Sequence, residues 1–143
     1  RKAIVNLIFK RCIMSKSGKC LCGDVNFTYE SDPGMFLLCH CTDCQRSTGS
    51  PLASIIIVPE NEFTINGSTG SYECEAKVTR SFCKNCGSQI FSKIARAPGI
   101  VAIKTGVLDQ QPKIKPSLAC WTKSKPKWLE IKHPENAFEE NPS

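Results

Sequence analysis

The chain carries two cysteine knuckles, Gly18-Lys-Cys20-Leu-Cys22-Gly23 and Phe82-Cys83-Lys-Asn-Cys86-Gly87. Cysteines this close in sequence rarely bridge each other, because a disulfide needs Cα atoms about 5.5–6 Å apart. Two thiolates on one tight turn can instead face a tetrahedral zinc ion, with Zn–S distances of about 2.3 Å. The glycine after each second cysteine allows a positive φ, which turns backbone N–H groups towards the sulfurs. Together the pairs predict one closed, structural zinc site on Cys20, Cys22, Cys83 and Cys86.

A third motif, Cys39-His-Cys41-Thr-Asp-Cys44, supplies three more candidate ligands from one short segment. Three protein ligands plus an open fourth position is the arrangement of catalytic zinc, so Cys39, Cys41 and Cys44 are predicted to form a second, catalytic site. The alternative is that His40 fills the fourth position and makes this site structural too. A residue between two ligands normally points away from the metal they share, which favours the open site.

The remaining cysteines, Cys12, Cys74 and Cys120, stand alone and are predicted to be small buried hydrophobic residues. Residues 1–13 have basic ends and a short apolar middle but no small-residue cleavage site, which argues against an export signal. Met14 resembles a natural start, and residues 1–17 are interpreted as an N-terminal extension that the fold does not need. Without export we expect a cytoplasmic protein, and in that reducing compartment clustered cysteines are more often metal ligands than disulfides.

The formal net charge is +6, but residues 1–20 hold six basic side chains and no acidic one, and the rest of the chain balances to zero. A nucleic-acid-binding domain concentrates positive charge on its folded body, so we do not expect a nucleic-acid partner. The Lys-rich segment Lys104–Lys132 is the exception, and it is interpreted as a solvated edge rather than a phosphate-binding face. The longest apolar runs, Ile55–Val58 and Gly99–Ile103, are far shorter than the ~20 residues of a membrane span, so no membrane association is expected.

Most secondary-structure signals are those of short β-strands. Val25–Tyr29 alternates apolar and polar residues, and Leu52–Val58 is a β-branched run typical of a buried strand. Glu62–Ile65 ends at Asn66-Gly67, which predicts a hairpin with Ser71–Cys74 as the return strand. The further predicted strands are Val78–Phe82, Gln89–Phe91, Ile100–Thr105 and Leu118–Trp121.

Helical signals are confined to Thr42–Thr48, closed by Gly49, and to Glu135–Glu140. The predicted fold class is therefore all-β, with several short antiparallel strands and one or two helical turns. Zinc suits such a chain, because a structural metal contributes folding free energy to a domain with a modest core. No linker divides the chain, so residues 18–132 are interpreted as one zinc-binding domain and residues 133–143 as a C-terminal tail.

These motifs resemble those of the glutathione-dependent formaldehyde-activating enzyme (GFA) family, which includes centromere protein V-like proteins. The family pattern G-x-C-x-C-G-x-V-x-[FY] is seen in Gly18–Phe27, C-H-C-x-x-C in Cys39–Cys44, and F-C-x-x-C-G-S in Phe82–Ser88. A later block resembles Ile103–Asp109 followed by Ser124–Trp128. The resemblance covers the chain from Gly18 to about Ile131. It departs at Ala119-Cys120, where many members carry a His-Ile pair.

The resemblance implies a β-tent fold of the Mss4-like type with two zinc ions per chain, one structural and one catalytic. It also implies a carbon–sulfur lyase that joins glutathione to formaldehyde, giving S-hydroxymethylglutathione, or cleaves that adduct. A thiol entering the open zinc position loses its proton, and the thiolate is the nucleophile that adds to the aldehyde carbon. Arg46 and Lys104 are candidate contacts for the carboxylates of glutathione.

The alternative function is a non-catalytic binding module stapled by zinc, in which the Lys104–Lys132 face engages an acidic partner. A redox role for Cys83 and Cys86 is less well supported, because the βαβ setting of a thioredoxin-like motif is missing. The fourth ligand at Cys39, Cys41 and Cys44 separates the first two readings. An exchangeable water or thiol there indicates chemistry, and a fixed protein ligand indicates structure.

Overall fold

The computed structural model describes residues 15–132 and 134–142 of the chain. Within them the secondary structure consists of short strands and a single α-helix, α1 (Thr42–Thr48). The strands are β1 (Lys16–Lys19), β2 (Asn26–Tyr29), β3 (Met35–Cys39), β4 (Ala53–Pro59), β5 (Phe63–Asn66), β6 (Thr69–Glu73), β7 (Val78–Cys83), β8 (Gln89–Ile94), β9 (Ile100–Lys104), β10 (Leu118–Cys120) and β11 (Asn136–Ala137). The all-β prediction is confirmed.

The strands form two sheets. A three-stranded sheet has the order β1-β2-β5, and an eight-stranded sheet has the order β11-β10-β3-β4-β9-β8-β7-β6. Pairing is antiparallel except at β10, which runs parallel to both β3 and β11. Several short antiparallel strands are present as predicted, and the parallel pairing of β10 is an addition to that pattern. A parallel pair needs a long crossover, and the connection from β3 to β10 includes most of the large sheet.

The small sheet packs against one face of the large sheet. Phe63 of β5 meets Phe91 of β8 with ring centroids 4.9 Å apart, and Phe27 of β2 lies 5.6 Å from Phe63. Along β4, Ile56 belongs to this core while its neighbour Ile55 belongs to a second buried cluster. Successive strand side chains point to opposite faces, so β4 is buried on both sides, as its β-branched run predicts.

Two strands lacked a clear signal in the sequence. β3, Met35-Phe-Leu-Leu-Cys39, is a short continuous apolar run, which periodicity does not assign to a strand or a helix. β1 is polar and depends on its pairing with β2. It begins at Lys16, within the segment interpreted as an extension, and Ser17 Oγ donates a hydrogen bond of 2.6 Å to Asp109.

The hairpin predicted at Asn66-Gly67 is wrong. β5 pairs with β2 in the small sheet, whereas β6 pairs with β7 in the large sheet. Gly67 adopts a φ of 105°, and a Cβ at this position would lie 2.2 Å from the Asp24 carbonyl oxygen. The turn is therefore fixed by packing against another loop, and the chain crosses there from one sheet to the other.

The helix predicted at Glu135–Glu140 is also wrong. Asn136–Ala137 is strand β11, and Phe138 N–H donates a 2.8 Å hydrogen bond to the Ala119 carbonyl. The exposed edge of β10 offers backbone partners that a single isolated helical turn does not. Within the described ranges, no helix is both long and apolar enough to cross a bilayer.

We expect Gly18→Ala to destabilise the fold by about 1–3 kcal/mol through overpacking. A Cβ at Gly18 would lie 2.2 Å from Phe27 Cζ and 2.4 Å from the Val107 carbonyl oxygen, and a backbone atom cannot step aside. Urea denaturation measures the change. Gly34→Ala is the matched control, because its added Cβ meets nothing within 4 Å. Equal stability of the two variants would contradict the packing account.

Candidate metal centres

The first cysteine cluster joins the two knuckles. The Sγ atoms of Cys20, Cys22, Cys83 and Cys86 all lie within 4.8 Å of one another. Cys22 Sγ is 3.5 Å from Cys20 Sγ and 3.8 Å from Cys83 Sγ. A tetrahedral zinc ion with bonds of about 2.3 Å places its sulfurs ~3.8 Å apart. The four thiols therefore fit one zinc ion, and the structure brings together the residues predicted for the structural site.

Backbone and hydroxyl groups of the two knuckles hydrogen-bond to Cys20 and Cys86 and can stabilise these thiols in the ionised form. Both glycines have positive φ, 85° at Gly23 and 77° at Gly87. The Val25 N–H donates to Cys20 Sγ at 3.3 Å. The Ser88 hydroxyl, 3.2 Å from Cys86 Sγ, lowers the pKa of the Cys86 thiol to about 5. Donors aimed at sulfur favour the thiolate, which is the form that binds a metal.

The second cluster forms where β3 passes into α1. Cys39 is the last residue of β3, Cys41 is the N-cap of α1, and Cys44 lies in the first turn of that helix. Their three Sγ atoms lie within 4.8 Å of one another. The Cys44 N–H donates to Cys41 Sγ at 3.3 Å, which fixes the cap. Three thiols this close fit a zinc ion that takes one further ligand.

His40 is buried beside these thiols but is not a member of the metal-binding group that the described residues form. Its Nδ1 lies 3.4 Å from the Pro51 carbonyl oxygen. The Gln45 side-chain amide donates to the His40 carbonyl at 2.7 Å and to the Ser124 carbonyl at 2.9 Å. The imidazole therefore turns away from the cluster, in agreement with the argument that a residue between two ligands does not share their metal.

Two buried, positively charged side chains lie near the second cluster. Lys104 at the end of β9 and Arg80 in β7 are each 8% exposed. Lys104 Nζ lies 3.4 Å from Ser92 Oγ. Burial lowers the pKa of Lys104, and the negative charge of Cys44 opposes that shift. Burial works against the charge of Arg80, but the pKa of its guanidinium is raised by its 3.0 Å hydrogen bond to Cys74 Sγ and by the negative charge of Cys44, so both cations lie within electrostatic reach of Cys44.

The thiols of the second cluster do not all ionise by themselves. The pKa of Cys39 is raised, first by its hydrogen bond with Cys120, and the pKa of Cys44 is raised, first by its hydrogen bond with Cys39. Adjacent thiolates repel each other, so ionising the whole group requires positive charge at its centre. A bound cation supplies that charge, because a coordinated thiol loses its proton outright.

Helix α1 lies between two surface cavities. A cavity of about 690 Å³ is lined by Arg46 and Arg80 among others. A second cavity of about 380 Å³ is lined by Lys104, and Ser47 of α1 borders both cavities. The two predicted substrate contacts, Arg46 and Lys104, therefore line different cavities, and neither of these two linings includes Cys39, Cys41 or Cys44.

Three assignments change in the structure. Lys104 is buried near the cysteines, so its placement on a solvated Lys-rich edge is wrong. Cys74 is only partly buried and accepts a 3.0 Å hydrogen bond from Arg80 Nη1, so it is not simply a buried hydrophobic residue. Cys120 is buried as predicted, but its side chain packs with Cys39 and Cys44 rather than standing alone. Cys12 lies outside the described residues.

Arg80 is a site residue that the sequence reasoning missed. A sequence signal for a buried Arg80 was present. In a strand of period two, Arg80 has the same parity as the apolar residues Val78 and Phe82. A charged residue at such a position has to be paired when it is buried.

The two-sheet β fold carries two cysteine clusters that could each hold a metal ion, which is the pattern of a class of small β proteins with thiolate metal sites. Within that class the chain belongs to the GFA family, since residues 15–124 match the family model described as "Glutathione-dependent formaldehyde-activating enzyme". The fold and the clusters fit the zinc-stapled tent that the family resemblance implies.

The chain is also similar to two known proteins. An uncharacterized lyase of Schizosaccharomyces pombe is 27% identical over 74 residues, which are 52% of this chain and 54% of the relative. The chain thus matches about half the length of that curated relative. A crystal structure of a Rhodobacter sphaeroides protein superposes with a TM-score of 0.56 at 21% identity, covering 70% of this chain and 91% of the other. This similarity shows only that the two proteins share a fold.

Proposed function

We propose that the protein is a zinc-dependent carbon–sulfur lyase that forms or cleaves a thiol–aldehyde adduct, with glutathione and formaldehyde as substrates. One observation carries the proposal: three converging thiols, Cys39, Cys41 and Cys44, lie beside two buried cations at a helix bordered by two cavities. Family membership and the lyase name of the yeast relative support the same reaction class. Reduced cysteines on both metals imply a reducing compartment such as the cytoplasm.

In this proposal the first cluster is structural and the second is catalytic. Cys39, Cys41 and Cys44 would hold the zinc ion, which would supply the acidity that keeps a substrate thiol deprotonated. The substrate thiolate attacks the carbonyl carbon, a C–S bond forms as the C=O π bond breaks, and the carbonyl oxygen takes up the proton that the thiol had lost. The reverse sequence cleaves the adduct.

The chain's own charges favour an anionic sulfur at this place. Arg80 and Lys104 are held rigidly by burial, so their charge is directed at Cys44 with little reorganisation. Arg46 is exposed at the larger cavity, and we propose that it receives a carboxylate of the tripeptide. Lys104 lines the smaller cavity but is only 8% exposed, so we propose that its charge acts on the sulfur rather than on a carboxylate.

Exchange NMR tests this proposal by measuring how fast glutathione and formaldehyde interconvert with S-hydroxymethylglutathione. We expect the wild type to exceed the uncatalysed rate and Lys104→Met to lose about 10–100-fold of the excess, since one preorganised charge is removed. Methionine keeps an unbranched apolar chain, so the buried site stays filled.

The exposed Lys113→Met variant is the matched control and should retain the wild-type rate. A zinc-loaded wild type that never exceeds the uncatalysed rate would contradict the lyase. That result would favour the binding module, for which the exposed lysines of the C-terminal third remain available.

A further inference from the structure

The smaller cavity beside α1 contains a hydrogen-bond acceptor that the described part of the chain leaves unpaired. Gln89, the first residue of β8, lines this cavity of about 380 Å³. Its side-chain oxygen, Oε1, is buried and has no hydrogen-bond partner among residues 15–132 and 134–142. A buried acceptor without a partner is costly, and most such groups are paired with protein or with water. A molecule that enters the cavity can therefore gain free energy by bringing an N–H donor.

A β-bulge sets the direction of the Gln89 side chain. Along β7 the partner of Ser81 is Phe91. The partner of the next residue, Phe82, is Gln89, so the register skips one residue of β8. A bulge bends its strand and re-aims a side chain, and bulges are frequent next to active sites. The last side-chain torsion of glutamine is also soft, so the Gln89 amide can turn its oxygen towards a ligand while the backbone stays in place.

A positive charge lines the same cavity. Lys104 is buried, its Nζ lies 3.4 Å from Ser92 Oγ, and no carboxylate of the described residues forms an ion pair with it. At Gly106, which also lines the cavity, an added Cβ would meet nothing within 4 Å, so there is room for a ligand. A buried cation and a buried acceptor in one cavity complement an anion that carries an N–H group close to its charge.

Among thiols, N-acylated cysteines have this pattern. Their amide N–H is on the carbon next to the one that carries the sulfur, so the thiolate and the N–H lie a short distance apart. A simple alkyl thiol has the sulfur but lacks the donor. A site built to hydrogen-bond an N–H rejects an analogue without it, because the buried acceptor of the site is then left unpaired.

We propose that Gln89 Oε1 accepts the amide N–H of the thiol substrate, and that this hydrogen bond makes the site selective for N-acylated cysteines, including glutathione, over other thiols. The inference deepens the proposed function and rests on it only for the binding of a thiol whose sulfur faces Lys104. In this arrangement Lys104 acts on the sulfur and Gln89 holds the adjoining amide, so the two residues together fix the orientation of the substrate.

Isothermal titration calorimetry of the zinc-loaded full chain tests this assignment without an aldehyde. The probes are N-acetylcysteine and N-acetyl-N-methylcysteine, which have the same thiol and carboxylate and differ in the N–H. We expect the wild type to bind N-acetylcysteine about 10-fold more tightly, which is the effect of one hydrogen bond to a buried acceptor. Gln89→Met removes the acceptor and keeps an unbranched chain, so it should bind both probes equally. Gln110→Met, at an exposed position outside the cavity, is the matched control and should keep the preference.

Three results would overturn the assignment. They are equal binding of the two probes by the wild type, a preference that persists in Gln89→Met, and binding of neither probe. Gln89→Leu is a second variant without the acceptor, and circular dichroism checks that each variant is folded. A preference for N-acetylcysteine that Gln89→Met abolishes, in a protein that does not accelerate the aldehyde reaction, would support this assignment and contradict the lyase alone.

Discussion

We expect Cys83→Ser to unfold the domain. Cys83 is a buried member of the four-cysteine cluster, and it terminates β7 in the large sheet. Structural zinc contributes about 10–16 kcal/mol to folding in small zinc domains, whereas a whole domain has only about 5–15 kcal/mol of net stability. Loss of this site is therefore expected to cost as much as, or more than, the net free energy of unfolding of the domain. Far-UV circular dichroism and zinc content measure the loss.

The control for this variant is Cys74→Ser, a partly buried cysteine that is in neither cluster. Serine there still accepts the Arg80 hydrogen bond, so the variant should fold and bind zinc as the wild type does. A Cys83→Ser protein that is folded and carries two zinc ions would show that the knuckles do not hold a structural metal.

We expect Cys44→Ser to keep the fold and to lose the zinc ion proposed for the second cluster. Cys44 lies on a single short helix beside the large sheet, so the two-sheet core survives without this ligand. Groups that only hydrogen-bond to the ligands of a metal are each worth about 10–100-fold in metal affinity, so loss of a direct ligand should cost more than about 100-fold. We expect one zinc ion per chain, a melting temperature within a few degrees of the wild type, and no lyase activity above background.

Zinc analysis after dialysis against a weak chelator, together with a thermal melt, measures both effects. Unfolding as complete as that of Cys83→Ser would mean that both clusters are structural. Retention of two zinc ions would mean that Cys44 is not a ligand.

The cysteine clusters were the part of the site that the sequence predicted best. Ligands separated by one or two residues share a turn, so their convergence depends on local geometry that spacing encodes. The meeting of Cys20 with Cys86 is long-range, but it follows from the need of each pair for two further ligands. The same local logic located α1, which Cys41 begins and Gly49 ends.

The features that the sequence did not predict depend on the order of the strands in the sheets, which local sequence patterns do not encode. Cys120 was predicted to stand alone because no sequence pattern indicates that β10 pairs in parallel with β3. Sequence alone places Lys104 among several surface lysines, yet it ends a strand that is buried from Val101 onward. The Asn66-Gly67 turn has hairpin chemistry, but packing of Gly67 against Asp24 sends the two flanking strands into different sheets.

A native mass spectrum of the wild-type chain, with and without glutathione, tests the central claim most directly. The account predicts two zinc ions per chain and one glutathione retained, with the glutathione lost in Cys44→Ser. Two zinc ions without retained glutathione would support the two metal sites but contradict the proposed glutathione site. A chain without zinc, with its mass lowered by paired oxidised cysteines, would contradict the metal centres themselves.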